Sequence, residues 1–122
     1  MKSTNKKLNT IIGSDSKIIG DIESQGSIHI DGEIQGNVIA KNLITVGKSA
    51  KITGNIRTVE IVVSGKIEGN IFAKKEIELK NKSVVKGDIS TKMLTIETGA
   101  MLDGKCSMES VEVNKLSDEK SD

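Results

Sequence analysis

Few residues of this chain could carry catalysis or bind a metal, and none stands where that chemistry would need it. The one histidine, His29, lies between Ile28 and Ile30. A general base needs a nucleophile or an orienting acid in a recognisable relation to it. No Ser, Cys or acidic residue has a motif-like spacing to His29, so it reads as a solvated surface side chain. The single cysteine, Cys106, falls at a position otherwise held by Ile and Val, which makes it a packed thiol rather than a nucleophile. Asp21, Asn37, Asn55, Asn70, Asp88 and Lys105 each follow a glycine. A metal would want adjoining carboxylates or imidazoles. Here three neutral Asn separate the two Asp and no His joins them. The expectation is no catalytic residue, no metal and no cofactor.

Composition narrows the class further. The 18 basic and 17 acidic residues are interleaved to a net charge of +1, which leaves no footprint for nucleic acid. A lone cysteine excludes an internal disulfide and suits a reducing cytosol. No apolar run approaches the ~18 residues of a membrane span, and MKSTNKKLNT lacks the apolar core of a signal peptide. The expectation is a soluble cytoplasmic chain. The apolar set is Ile, Val and Leu with one aromatic, Phe72. That set suits stacked strands better than a conventional two-layer core.

The element that positions these residues is a repeat. Gly-Asn-Ile or a close variant occurs at Gly20, Gly36, Gly54, Gly69 and Gly87, with a degenerate sixth copy at Gly104-Lys105-Cys106. The steps are 16, 18, 15, 18 and 17 residues. Aligned on the glycines, three apolar registers appear. Ile18, Ile34, Ile52, Ile67, Val85 and Leu102 stand two residues before each glycine. Ile22, Val38, Ile56, Ile71, Ile89 and Cys106 stand two after it, followed by mostly small residues from Ser24 to Met108. Alternating pairs come next: Ile28/Ile30, Ile44/Val46, Ile61/Val63, Ile77/Leu79, Leu94/Ile96 and Val111/Val113. Alternation with a period of two marks strands with one buried face.

Each repeat therefore predicts three strands of about three to five residues. An antiparallel meander is the rival, since Asp-Gly and Gly-Asn also start hairpins. However, turns here come roughly every six residues and the like-for-like unit is three turns long, which returns the chain to its starting face. The fold predicted is all-β: a single-domain, three-sided parallel β-helix of about six ~17-residue rungs, right-handed by the general crossover preference. It occupies residues 10–114, between disordered tails over 1–9 (basic) and 115–122.

A β-helix covers its sides but exposes strand edges and core cross-sections at its ends, which monomeric solenoids cap. No cap is visible here. Ile12, Ile18 and Ile22 open one end, and Cys106, Met108, Val111 and Val113 the other. These residues form the predicted end-to-end polymer interface. Along the sides, strict alternation sends Phe72 and Ile39 outward in one column, a candidate lateral contact.

With these features the sequence resembles the bactofilins, a bacterial cytoskeletal family, over about residues 10–114. The likeness rests on the repeated [Ile/Val/Leu]-x-Gly-[Asn/Asp]-[Ile/Val] unit, on Ile11-Ile12-Gly13, and on the segment Ile28-His29-Ile30-Asp31-Gly32-Glu33-Ile34-Gln35-Gly36. It implies a right-handed triangular β-helix that polymerises through its ends, without nucleotide, into scaffolds for cell-shape or cell-wall machinery. In some members the scaffold lies at the inner face of the membrane. Here that contact would fall to Lys6, Lys7, Leu8 and Ile11, with Lys2 and Ile12 beside them, as a weak peripheral attachment. The implied partner is the chain itself, with cell-wall or cell-shape proteins beyond it. The competing reading is a hexapeptide-repeat acyltransferase, another β-helix. It would need regular six-residue steps and a placed histidine, whereas the steps here wander between four and six.

Overall fold

The computed structural model describes residues 8–108, which form sixteen strands and no helix. Every strand pairing is parallel. The strands fall into three faces. The first stacks β2 (Lys17–Ile19), β5 (Glu33–Gln35), β8 (Lys51–Thr53), β10 (Lys66–Glu68), β12 (Val84–Lys86) and β15 (Met101–Asp103) as a six-stranded sheet. The second runs through β3 (Ile22–Ser24), β6 (Val38–Ala40), the first parts of β9 (Ile56–Val63) and β11 (Ile71–Leu79), β13 (Ile89–Thr91) and β16 (Cys106–Met108). The third holds β1 (Leu8–Ile12), β4 (Ser27–Ile30), β7 (Leu43–Val46), the later parts of β9 and β11, and β14 (Met93–Ile96). Three parallel strands per turn make a three-sided coil of about six turns.

The register places like residue on like. Ile18, Ile34, Ile52, Ile67, Val85 and Leu102 are successive Cα partners on the first face. Inside the coil these columns are sealed: Ile34, Ile52, Ile67 and Val85 are all 0% exposed. Rungs 4.7–4.9 Å apart let each Ile or Val contact its neighbours above and below. Two strands are longer than the sequence predicts. β9 and β11 run 8 and 9 residues because Thr58-Val59-Glu60 and Ala73-Lys74-Lys75-Glu76 turn the corner without a Gly or Asn break. A register shift between Ala73 and Glu76 absorbs the bend. Strand pairing also reaches back to Leu8, into the segment expected as a tail.

The corners explain the uneven steps. Each six-residue corner closes a turn whose fourth N–H donates to the first carbonyl: Ser16 to Gly13, Ala50 to Gly47, Ser83 to Lys80 and Ala100 to Glu97. Each four-residue corner instead tucks a glycine beneath the preceding turn. A Cβ on Gly65 would overlap backbone oxygens of Gly47 and Ala50. The repeated glycines have a stricter reason to be glycine. Gly54 has φ +146°, and a Cβ on it would overlap the carbonyl oxygen of Gly36 one rung below.

The corner after each of these glycines forms a ladder of side chain to backbone hydrogen bonds. The side-chain oxygen of Asn37 accepts from the backbone N–H of Asn55 at 3.0 Å, Asn55 from Asn70 at 3.2 Å, and Asn70 from Asp88 at 3.1 Å. Asp21 and Asp88 serve the backbone N–H groups of Asn37 and Lys105 in the same way. Carboxamide and carboxylate are interchangeable here because only an acceptor oxygen is needed. Lysine offers none, so the ladder stops at Lys105.

One corner carries a defect. Ser83 Oγ is buried and has no hydrogen-bond partner, while the equivalent corner positions hold Ala50 and Ala100 in the stack and an exposed Ser16 in the first turn. Removing an unpaired buried hydroxyl relieves its desolvation penalty, so Ser83→Ala is expected to stabilise the coil by roughly 1 kcal/mol. A urea midpoint that fails to rise would show that the hydroxyl is satisfied in solution.

Candidate polymer interface

The two ends differ from the middle in the same columns that make the core. On the first face Ile18 and Leu102 are half-buried where the four residues between them are sealed. On the second face Val38, Ile56, Ile71 and Ile89 are buried, Ile22 is half-buried and Cys106 is exposed. On the third face Ile30, Val46, Val63 and Leu79 are closed, and Ile96 is half-buried. Ile12 and Leu94 are exceptions, closed at 5% and 2% although they lie on β1 and β14 at the ends of their columns. The cause at the other positions is the absence of a neighbouring rung among the described residues. Strands β1, β2 and β3 at one end, and β14, β15 and β16 at the other, each pair on one side only.

Cys106 therefore departs from the packed thiol of the sequence reading. It keeps the inward register, opposite Ile89, but nothing described covers it. Partial desolvation still raises its thiol pKa above the ordinary value. Met108 ends β16, opposite Thr91. The expectations at Val111, Val113, Lys6 and Lys7 lie outside the described residues.

The sides hold the other candidates. Ile39 and Phe72 point outward in one column with Arg57 between them, 36% and 41% exposed. The Arg57 guanidinium stacks over the Phe72 ring, 5.2 Å from its centroid. Ile11 faces outward at 65% exposure, above His29 in the third-face column. Ile19, at 74%, is more exposed still. The sequence reading passed over it, though alternation from the inward Ile18 sends it out.

His29 is half-exposed as expected, but it does have an acidic partner: its Nε2 lies 3.0 Å from Asp31 Oδ2, two residues along the chain at the next corner. Its neighbours in the outward column are Ile11 and Thr45. Further along this face Lys80 bridges Glu78 at 2.9 Å and Glu97 at 3.3 Å. The hydrogen bond from Asn81 N–H, with Lys80 beside it, holds the Glu97 carboxyl below the usual range. Among the described residues no three His, Cys, Asp or Glu converge as metal ligands. No described helix is long and apolar enough to cross a membrane.

What the geometry offers is thus three ribbed sides and two ends that no described residue covers. Comparison with known proteins agrees in kind. The family model for bactofilins, described as polymer-forming cytoskeletal proteins, matches residues 10–107. The chain is a bactofilin. A search of curated protein sequences finds no significant match. Among solved structures it is similar to the Thermus thermophilus bactofilin in a cryo-EM reconstruction of double helical filaments. The TM-score is 0.79 at 24% identity, covering 82% of this chain and 99% of that one. It is also similar to the cytoskeletal bactofilin BacA solved by solid-state NMR. There the TM-score is 0.75 at 29% identity, covering 84% and 97%. Bactofilins are filament-forming structural proteins, so the acyltransferase alternative falls away.

Proposed function

We propose that this bactofilin polymerises end to end, without nucleotide, into cytoplasmic filaments that scaffold cell-shape or cell-wall machinery. One observation carries the reading: the stacked apolar columns and the strand edges that build the coil run to both described ends, where no described residue caps them. Joining two ends lets the same columns and hydrogen bonds continue from subunit to subunit. The solved filament of a relative with the same fold supports it. Contact with the inner membrane face would be peripheral, through Lys6, Lys7, Leu8 and Ile11. Each lysine near an anionic leaflet contributes about 1 kcal/mol, and a filament multiplies that weak attachment.

The test uses Cys106 as a built-in probe. Purified protein, free of nucleotide, is imaged by negative-stain microscopy while a thiol reagent titrates Cys106. Because its pKa is raised, labelling of the dispersed protein should be slow at neutral pH and accelerate up to tenfold per pH unit below that pKa. Filaments should form and protect the thiol at least tenfold at every pH. Protein that stays monomeric at high concentration would sink the end-to-end reading. Filaments that leave Cys106 fully reactive would move the interface away from this end.

A further inference from the structure

The chain holds one arginine and one aromatic residue, and the fold stacks them on each other. Arg57 and Phe72 are Cα partners in the outward column of the second face, which reads Glu23, Ile39, Arg57, Phe72 and Ser90 from rung to rung. A groove of about 620 Å³ runs beside this column, lined on its other side by Asn37, Asn55 and Asn70. Each of these Asn spends its side-chain oxygen on the backbone N–H of the next rung. What remains is a row of amide NH2 donors without a partner among the described residues. Arg57 likewise meets no carboxylate among the described residues, although the Phe72 ring holds its guanidinium in place. The nearby acids stand at the two ends of the groove. Glu23 is exposed two rungs from Arg57. Asp88 follows Asn70 in the ladder, its carboxylate accepting from the Lys105 N–H. Past Phe72 a smaller groove of about 380 Å³ continues, lined by Lys74 and Lys92.

We infer that this groove binds an extended segment of a partner protein whose alternate residues are apolar, acidic and basic, laid along the coil axis against Phe72, Arg57 and Glu23. The inference rests on the scaffold reading above and names the site by which the scaffold holds its client. Spacing and charge order select this occupant. Alternate residues of an extended chain point the same way, so the first and last of three such positions lie ~13 Å apart. Phe72 and Glu23 are three rungs apart, ~14 Å. The middle position falls between the Arg57 and Ile39 rungs, within reach of the long guanidinium side chain. A carboxylate there can take the planar Arg57 fork in two hydrogen bonds. A phosphate could do the same, but Glu23 and Asp88 at the groove's ends repel its second negative charge. The Asn amides donate to the segment's carbonyl oxygens, as extended-peptide recognition requires. The outward strand columns of the coil itself do not carry apolar, acidic, any and basic residues on successive rungs, so a face of a second copy does not supply the match.

Arg57 and Glu23 are both exposed, so each ion pair is weak by itself and is screened by salt. One groove therefore holds a client loosely. A filament repeats the groove once per subunit, and a clustered or multimeric client is then held by many at once.

The test titrates the full chain into a fluorescein-labelled peptide, Gly-Ser-Leu-Ser-Glu-Ser-Lys-Ser-Gly, and into the same sequence reversed, and reads anisotropy. One of the two chain directions is expected to bind at ~50 mM salt and to weaken ~tenfold at ~0.5 M. Arg57→Glu should weaken binding ~tenfold or more, and a peptide with Lys in place of its Glu should restore it. Glu23→Lys should weaken it several-fold, and a peptide with Glu in place of its Lys should restore that. Each peptide should rescue its own variant and not the other. Circular dichroism reports that the variants fold, and Arg57→Gln, a milder change, should give an intermediate loss. A wild type that binds neither direction up to ~1 mM would overturn the inference. So would undiminished binding by Arg57→Glu, or rescue by either peptide alike, which would reduce the contact to net charge. The chain's own Leu116, Asp118 and Lys120 follow the same pattern. If removing residues 115–122 tightened peptide binding more than ~tenfold, the occupant would be that segment and the partner assignment would fall. Sedimentation of the same samples reads the polymer separately. Filaments that bind no peptide overturn this inference alone; peptide bound by subunits that never polymerise upholds it and removes the end-to-end reading.

Discussion

Gly54→Ala is expected to cost about 2–6 kcal/mol, a large part of the ~5–15 kcal/mol that holds a domain of this size together. Two penalties add. At φ +146° an L side chain occupies a strained backbone region, worth roughly 1–3 kcal/mol. The new methyl also overlaps the carbonyl oxygen of Gly36. That oxygen is backbone, and Gly36 itself is tied into the rung by its N–H bond to Thr53, so it cannot swing aside. Such overpacking adds roughly 1–3 kcal/mol. Gly20 provides the internal control. Its φ of +133° carries the same strain, but nothing lies within 4 Å of its Cβ position, because no described rung is stacked beneath it. Gly20→Ala should therefore lose only the strain component. Urea unfolding of both variants, in a background that does not polymerise, reads the difference. Equal losses would mean that the coil relaxes around the added methyl, and the stacked-glycine account would be wrong.

Cys106→Arg should raise the critical concentration for polymerisation by two to three orders of magnitude while leaving the subunit folded. Cys106 is exposed in the single subunit, so the folded monomer tolerates a long charged side chain there. In the polymer the same position would be enclosed between rungs, where an unpaired buried charge costs roughly 3–5 kcal/mol, or about a hundredfold and more in affinity. Cys106→Ser should polymerise nearly normally. Sedimentation gives the critical concentration and circular dichroism the fold. The residual species is informative: dimers would mark pairing of like ends, and monomers pairing of unlike ends. Filaments forming at the wild-type concentration would exclude the Cys106 end from the interface.

The columns were legible in the sequence because burial in a β-helix depends on a strand period of two and a corner period of three, both of which survive changes in corner length. Ile18 through Leu102 pair in the structure in the order the glycine alignment puts them. What stayed hidden depends on neighbours one rung away, some 15 to 18 residues distant in sequence. The glycines could be read as turn formers, but the overlap with the carbonyl below appears only when rungs are stacked. The Asn corner residues read singly as turn formers, and their side-chain oxygens find backbone N–H partners only across rungs. The length of β9 and β11 was missed because a corner made without Gly or Asn leaves no punctuation to read. His29 lost its partner by the opposite error. Asp31 is only two residues away, but it lies at the corner beyond the strand, where alternation does not say which way a side chain points.

The uneven rungs have a consequence of their own. Their surplus residues all lie in corners, so rungs of 15 and 18 residues advance the axis by the same strand-to-strand distance. Axial length in this protein is counted in whole turns and is indifferent to how many residues each turn spends. Interior turns are thereby interchangeable parts. Duplicating or excising one, from one corner glycine to the next, changes the reach of the subunit by a single fixed increment and leaves both terminal surfaces as they were. Spacing along the filament can then be altered by gene-level copying of a turn, independently of the contacts that join one subunit to the next.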